Sequence, residues 1–465
     1  MTWVSSTNAA LLTDLYELTM AASYFNNGMT GQSTFDLFVR HLPERRNFLI
    51  SCGLEQALDY LEDLRFDEDS IGYLRSLGLF DDAFLDYLGH LRFTGSVYAV
   101  PEGEVVFEGE PILRVTAPMV EAQIVESFLL NCVVFQTMIA SKAARVSLAC
   151  RDRSFVDFSL RRDHGGDAAL KAARAAYVAG ASGTSNVLAG MAYGIPVSGT
   201  MAHSYVMAFD SETEAFRCFM RDFPKRTVLL IDTFDVEEGA RRAAQVAGEL
   251  ADEGVRLGGV RIDSGDLAPL SRTVRRILDD AGFSDTQVFL SGDLDEDRIA
   301  QLIAEDVPVD AFGVGTQLGV SGDAPSLGGV YKLVADSSGP KMKLSTGKIT
   351  LPGCKQLWRY ERHGVIDYDV IALEHEDLPG ARRVLVEAMA DGRRNETAES
   401  LEQIRKRCAV SLRKLPESLR SLTERERYRV EQSDSLRDLV ERTSAMMRWR
   451  GAHRKAQTVR ARRDR

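Results

Sequence analysis

The chain has 465 residues, 45% of them apolar and 27% charged, and carries a formal net charge of −11. Such a length exceeds the roughly 100–200 residues of an ordinary domain and the roughly 250 of a large barrel, so two or three domains are expected. The composition supplies several cores and excludes a largely disordered chain, while the acidic balance argues against a nucleic-acid-binding body.

The N-terminus, MTWVSSTNAALLTDLYELTM, has no basic leader followed by an apolar core. No apolar run approaches the roughly 20 residues needed to span a bilayer, so a soluble cytoplasmic protein is expected. Residues 8–25 place Leu11, Leu15, Leu18, Ala22 and Phe25 at helical spacing, with Thr13 and Asp14 available as caps. Helical stretches near 53–65 and 81–89 precede residues 95–118, where β-rich runs broken by Pro101, Gly103, Gly109 and Pro111 predict a small antiparallel element.

From residue 154 short apolar strands alternate with helices: SFVDFS, IPVSGT, TVLLID, GGVRID, QVFLSGD and DAFGVGT, with helices over 235–254 and 268–282 among the connections. That is a βα repeat with a parallel sheet. The strands end in Ser159 with Arg161 and Arg162, Thr200 with His203, Asp232, Asp263 with Ser264, Gly292 with Asp293, and Gly315 with Thr316. Turn chemistry alone can place Asp, Gly and Ser after a strand. Its repetition at each strand, with His and Arg included, predicts one rim bearing the active site, as in an α/β barrel. Beyond residue 340 a basic β-rich segment, a second strand pair and the helices of 397–446 are expected to join the N-terminal part. The cysteines Cys52, Cys132, Cys150, Cys218, Cys354 and Cys408 form no CxxC pair and read as buried thiols. The arginine-dense end, MRWRGAHRKAQTVRARRDR, reads as a solvated, frayed terminus.

The fold class expected is α/β: an irregular α/β barrel over 136–335 and a flanking α/β sandwich-like domain built from 1–135 and 336–446, with 447–465 a mobile basic tail. Within VRIDSGDL, Arg261 offers a planar fork of donors for phosphate or carboxylate, and Asp263 and Asp266 suit ribose hydroxyls or Mg²⁺ held against phosphates. The glycine-flanked loops FLSGDL and FGVGTQL expose backbone N–H groups to an anion. Together with Arg162, Lys332 and Lys355 they suggest a polyanionic phosphate site. Neither GxGxxG after the first strand nor GxxxxGK[ST] occurs, which disfavours dinucleotide and P-loop readings.

TDLYELTMAASYF, DFSLRR, GTSNVLAG, GIPVSGTMAHS, RIDSGDL, GVGT and PSLGGVYKLV, in this order from residue 13 to residue 334, resemble the motif series of the nicotinate phosphoribosyltransferase family. The resemblance implies synthesis of nicotinate mononucleotide and pyrophosphate from nicotinate and 5-phosphoribosyl 1-pyrophosphate (PRPP), with Mg²⁺ as cofactor and ATP hydrolysed as a co-substrate. It implies a homodimer with shared active sites, in which Tyr16 of one subunit faces the pyridine ring opposite Phe158 of the other. It assigns nicotinate to Phe158, Arg161, Ser185 and Thr200; PRPP and phosphate to Arg162, Asp263, Gly292, Asp293, Gly315, Thr316 and Lys332; and catalysis to Arg261, Asp263 and His203, the last as a phosphohistidine. No side-chain metal site is expected, Mg²⁺ being held through substrate phosphates.

Nicotinamide-using relatives carry an aspartate at the position of Ser185, whose charge would repel a nicotinate carboxylate; a serine hydroxyl can donate to it. The same fold could instead serve a nicotinamide phosphoribosyltransferase. A second enzyme reading takes Asp232, Asp263 and Asp293 as a divalent-metal site for lyase chemistry. A third, non-enzymatic reading has the basic tail bind nucleic acid to a degenerate barrel, which explains none of the rim residues.

Overall fold

The computed structural model describes residues 4–225, 227–345 and 350–463, with side chains as far as Trp449. Contacts divide the chain into two units, one formed by Met138–Pro325 and the other by Met1–Thr137 with Ser326–Arg465.

The two ends of the chain form one unit because their strands complete each other's hydrogen bonding. Strand Gln32–Val39 pairs antiparallel with Pro111–Pro118 on one side and with Gly329–Asp336 on the other. It is buried at six of its eight positions, as a central strand must be. The sheet continues through Ser96–Ala99, Val386–Ala390 and Arg393–Arg394, and Gly339–Pro340 forms its opposite edge. Strand Gly329–Asp336, expected within the barrel segment, thus belongs here: the partner it needs lies near the N-terminus. A second sheet joins Ala381–Arg383, Lys355–Arg362, Val365–Leu373 and Val430–Gln432.

The first amphipathic helix runs Leu15–Asn26, and Asp14 precedes it without a side-chain capping bond. Both expected caps are engaged elsewhere. Thr13 Oγ1 donates to Glu17 Oε2 at 2.6 Å, and Asp14 Oδ2 accepts from Ser127 Oγ at 2.9 Å. The helix buries Leu18 and Ala21 but leaves Leu15 and Tyr16 about half exposed. One stretch, Glu126–Cys150, has the length and hydropathy of a membrane span, which the sequence reading does not anticipate; 72% of its apolar window is buried inside the protein, as in a core helix. The arginine-rich end, expected to fray, continues the helix Asp434–Arg463, and its last two residues lie outside the described residues.

In the Met138–Pro325 unit, five parallel strands run in the order Ser154–Asp157, Ala311–Val314, Gln287–Leu290, Leu257–Ile262 and Thr227–Leu230. Leu229, Leu230, Val260, Ile262, Leu290, Phe312 and Val314 of these strands are all fully buried, as expected of a parallel sheet covered on both faces. Single parallel bridges extend the ladder from Asp157 to Thr184 and from Thr184 to Val197. The expected strand at IPVSGT is reduced to that one bridge. Along this ladder the last strand in the chain, Ala311–Val314, pairs with the first, Ser154–Asp157. The two ends of the ladder, at Val197 and at Thr227–Leu230, are left as an open seam with no ladder pairing between them among the described residues.

Candidate active site at the strand ends

Arg261 sits at the last turn of strand Leu257–Ile262 and reaches in three directions. Its Nε donates to Thr200 Oγ1 at 3.1 Å, Nη1 to Asp263 Oδ1 at 2.9 Å and Ser291 Oγ at 3.1 Å, and Nη2 to the Met201 carbonyl at 2.8 Å. Thr200 and Met201 lie on the far side of the open seam, so this side chain ties together two rim segments that the backbone ladder leaves apart. Burial holds its pKa below the usual value, Asp263 and Asp232 oppose that, and the Arg161 charge adds to the depression. An incoming anion would relieve that penalty.

Around it the strand ends lock into one another. Ser291 Oγ donates to Asp263 Oδ1 at 2.6 Å. Asp232 Oδ2 accepts from the Asp263 N–H at 2.9 Å and from Ser264 Oγ at 2.7 Å. The other Asp232 oxygen, Oδ1, is buried without a hydrogen-bond partner. Gly292, at φ +93°, lies so close to the Asp263 carbonyl that a Cβ there would stand 1.9 Å from its oxygen. No larger residue fits, which is the physical reason for glycine at this strand end. Asp293 beside it also adopts a left-handed conformation, φ 46°.

Phe158 supplies the flat surface. Its N–H donates to the Val314 carbonyl at 2.9 Å, and its ring lies 5.8 Å from that of Phe289. Gly313 leaves room for it: a Cβ there would come within 2.6 Å of the Phe158 ring. Behind Phe158, buried Asp157 accepts from the Ser159 N–H at 2.9 Å, Ser159 Oγ at 2.6 Å and Thr184 Oγ1 at 2.7 Å. Burial raises its pKa and those hydrogen bonds oppose the rise. The Ser185 N–H donates to the Asp157 carbonyl at 2.9 Å, so Ser185 and Phe158 flank one strand end. Arg161 and Arg162 are exposed beyond it. Asp163 completes the turn; burial first, and then the Asp157 charge, push its carboxyl up to about 6.

His203 opens a short helix, His203–Met207, and its Nδ1 lies 3.1 Å from Thr233 Oγ1, the second tie across the seam. Gly315 and exposed Thr316 follow strand Ala311–Val314 into another short turn. Phe158, Arg161, Arg162, Ser185, Thr200, His203, Arg261, Asp263, Gly292, Asp293, Gly315 and Thr316 therefore all follow strands or single-bridge strand segments of one unit. Tyr16 and Lys332 belong to the other. Tyr16 is 48% exposed, its phenol pushed up by partial burial and then by the charges of Glu126, Glu17 and Asp14. Lys332 donates to the Tyr331 carbonyl at 2.6 Å and lies 3.6 Å from Glu126. Lys355, expected near phosphate, is buried against Asp36 at 2.8 Å in that same unit. A cavity of about 800 Å³ lined by Arg46, Phe107, Tyr428 and Arg429 also lies there, and no strand-end residue lines it.

Sequence reading passes over Ser291, the Asp157–Thr184 pair and the role of Asp232 in orienting Asp263. Ser291 carries a detectable signal: it follows its strand just as Asp263 follows the neighbouring one. Among the described residues no group of three or more His, Cys, Asp or Glu side chains gathers as a metal site. The orphan Asp232 Oδ1 beside Asp263 nonetheless suits a Mg²⁺ ion that brings phosphate oxygens with it, since such ions take one or two carboxylates from the protein.

Cations, carboxylates and a flat aromatic gathered after parallel strands define an α/β enzyme that handles a charged small molecule. The nicotinate phosphoribosyltransferase N-terminal domain matches residues 11–134, the nicotinate phosphoribosyltransferase family 153–332 and the C-terminal domain 380–440. The chain is 48% identical over 414 residues to the nicotinate phosphoribosyltransferase pncB2 of Mycobacterium tuberculosis, with 89% of each covered. It is 44% identical over 388 residues to that of Bacillus subtilis, covering 81% of this chain and 78% of the other. The crystal structure of human nicotinic acid phosphoribosyltransferase superposes with a TM-score of 0.83 at 28% identity, over 92% of this chain and 99% of that one. The nicotinate-nucleotide pyrophosphorylase of Pyrococcus furiosus, 23% identical with a TM-score of 0.73 over 89% of this chain and 97% of its own, shares the fold. This chain belongs to the nicotinate phosphoribosyltransferase family.

Proposed function

We propose that the protein makes nicotinate mononucleotide and pyrophosphate from nicotinate and PRPP, with ATP hydrolysis coupled through His203. The observation that carries the reading is the Arg261–Asp263–Ser291 cluster at the strand ends of the unit that also carries Phe158, in a chain of this family. The pyridine nitrogen attacks ribose C1, the C1–O bond breaks, and pyrophosphate leaves with the electron pair. Charge builds on the ribose ring and on the leaving group, so preorganised charges and alignment supply the acceleration, and no enzyme nucleophile is required.

Phe158 offers one face of a sandwich for the pyridine ring, and Tyr16 of a partner subunit in a homodimer closes the other. Arg161 and the Ser185 hydroxyl meet the nicotinate carboxylate, and Thr200 holds Arg261 against it. Arg162 and the loops Gly292–Asp293 and Gly315–Thr316 take the ribose 5-phosphate. Asp263 faces the ribose, and with Asp232 it would hold Mg²⁺, which when bound neutralises the departing pyrophosphate. His203 accepts the γ-phosphoryl group of ATP: a ring nitrogen bonds phosphorus as the bond to ADP breaks, and water later releases phosphate. Thr233, against Nδ1, orients the ring for that step.

A substrate panel tests the reading. Each of nicotinate, nicotinamide and quinolinate is incubated with PRPP and Mg²⁺, with and without ATP. Mononucleotide from nicotinate alone, formed faster with ATP, is expected; equal use of nicotinamide would contradict the specificity assigned to Ser185.

A further inference from the structure

We infer that Lys142 is a positioning residue that sets the spacing between the two loops offered to PRPP. This rests on the reading above for the identity of the ligand. Lys142 and Arg145 stand together on the helix Phe135–Cys150. The Lys142 ammonium contacts the carboxylate of Glu296 and lies 3.0 Å from Asp323 Oδ1, while Arg145 Nε lies 2.9 Å from Glu296 Oε1. All four side chains are at most 5% exposed, so water screens none of these contacts. Two cations face two carboxylates, and the cations hold Glu296 below the usual carboxylate range despite its burial.

The two carboxylates come from different loops. Glu296 begins the helix after Gly292–Asp293, and Asp323 follows the turn that starts at Gly315–Thr316. Each loop also carries a non-glycine residue with left-handed backbone, Asp293 at φ 46° and Ser321 at φ 50°. Such conformations persist only where their surroundings over-determine them. One ammonium therefore grips both loops within a few residues of their strained positions. A buried ion pair is weak evidence for stability, and its better-attested use is to fix register. Here the register fixed is the separation of two sets of backbone donors that must fit one polyanion.

The test compares Lys142→Met, Asp323→Asn and the double variant, which leaves no carboxylate stranded. Asp323→Asn keeps Lys142 on Glu296 and removes only the ion pair to the second loop, so it remains informative if Lys142→Met does not fold. The expected result is a PRPP KM raised about fivefold or more in Asp323→Asn and in the double variant, with the nicotinate KM within about twofold. The double variant should regain melting temperature relative to Lys142→Met without regaining PRPP affinity. A PRPP KM within about twofold of wild type in both Asp323→Asn and the double variant overturns the inference, whatever the melting temperatures. If the wild-type protein makes no nicotinate mononucleotide, the reaction reading has failed. Binding of ribose 5-phosphate by calorimetry then makes the same comparison: weaker binding in Asp323→Asn supports the spacing role and equal binding overturns it.

Discussion

Replacing Arg261 by lysine keeps the positive charge and removes the geometry, which makes it a sharp probe of the strand-end site. The guanidinium makes four hydrogen bonds, to Thr200, Asp263, Ser291 and the Met201 carbonyl, and its side chain is only 12% exposed. A lysine ammonium is a single point with no planar fork, so it can keep the Asp263 and Ser291 side or the Thr200 and Met201 side. Two bonds from a charged donor are lost, each worth roughly 1.5–3 kcal/mol. Relaxation and entering water return part of that, leaving about 3 kcal/mol. Since 1.36 kcal/mol is tenfold in rate, kcat/KM should fall by about 10²-fold. The loss should concentrate in activity, because all four bonds lie among strand-end residues beyond the core strands, whichever pair is surrendered. Steady-state formation of nicotinate mononucleotide, measured beside a thermal melt, provides the assay. A lysine variant within about threefold of wild type would refute the reasoning.

Other perturbations probe separate parts of the site. Asp163 titrates at about 6 against an ordinary value of 3.8, chiefly through burial, so its protonated form favours the folded state. That stabilising contribution is complete below about pH 4 and is lost as pH rises through about 6. Asp163→Asn should therefore flatten the fall in melting temperature between those pH values, and parallel wild-type and variant profiles would count against it. Gly292→Ala must place a Cβ 1.9 Å from the Asp263 carbonyl oxygen at a φ of +93°. The left-handed backbone alone costs roughly 1–2 kcal/mol, so kcat/KM should drop at least about tenfold; an unchanged value would show that the contact yields freely. Ser185→Asp sets a carboxylate beside the strand end that carries Phe158, and should raise the nicotinate KM far more than it alters any turnover of nicotinamide. His203→Ala should retain slow PRPP-dependent synthesis and lose its stimulation by ATP, and stimulation that survives the substitution would exclude the phosphohistidine.

The α/β class and the gathering of strand-end residues were legible in the sequence because both follow from local pattern. TVLLID, GGVRID, QVFLSGD and DAFGVGT each place an apolar run before a polar turn, and a parallel sheet then delivers those turns to one edge. What stayed hidden depends on partners distant in the chain. Strand Gly329–Asp336 falls largely within the segment expected to form the barrel, yet it satisfies its backbone against Gln32–Val39. Lys355 reads as a free cation until Asp36 is found beside it. Thr13 and Asp14 read as caps, but Glu17 and Ser127 take their side chains. IPVSGT has strand composition and makes a single bridge, since the seam offers its other edge no ladder partner among the described residues. The Lys142 network was invisible for the same reason, its four charges being scattered along the chain.

The most direct test of the central claim is to quantify both products when the protein meets nicotinate, PRPP and Mg²⁺. The account predicts nicotinate mononucleotide and pyrophosphate in equal amounts, with formation accelerated by ATP. PRPP left unconsumed beside unchanged nicotinate, with ATP present or absent, would contradict it.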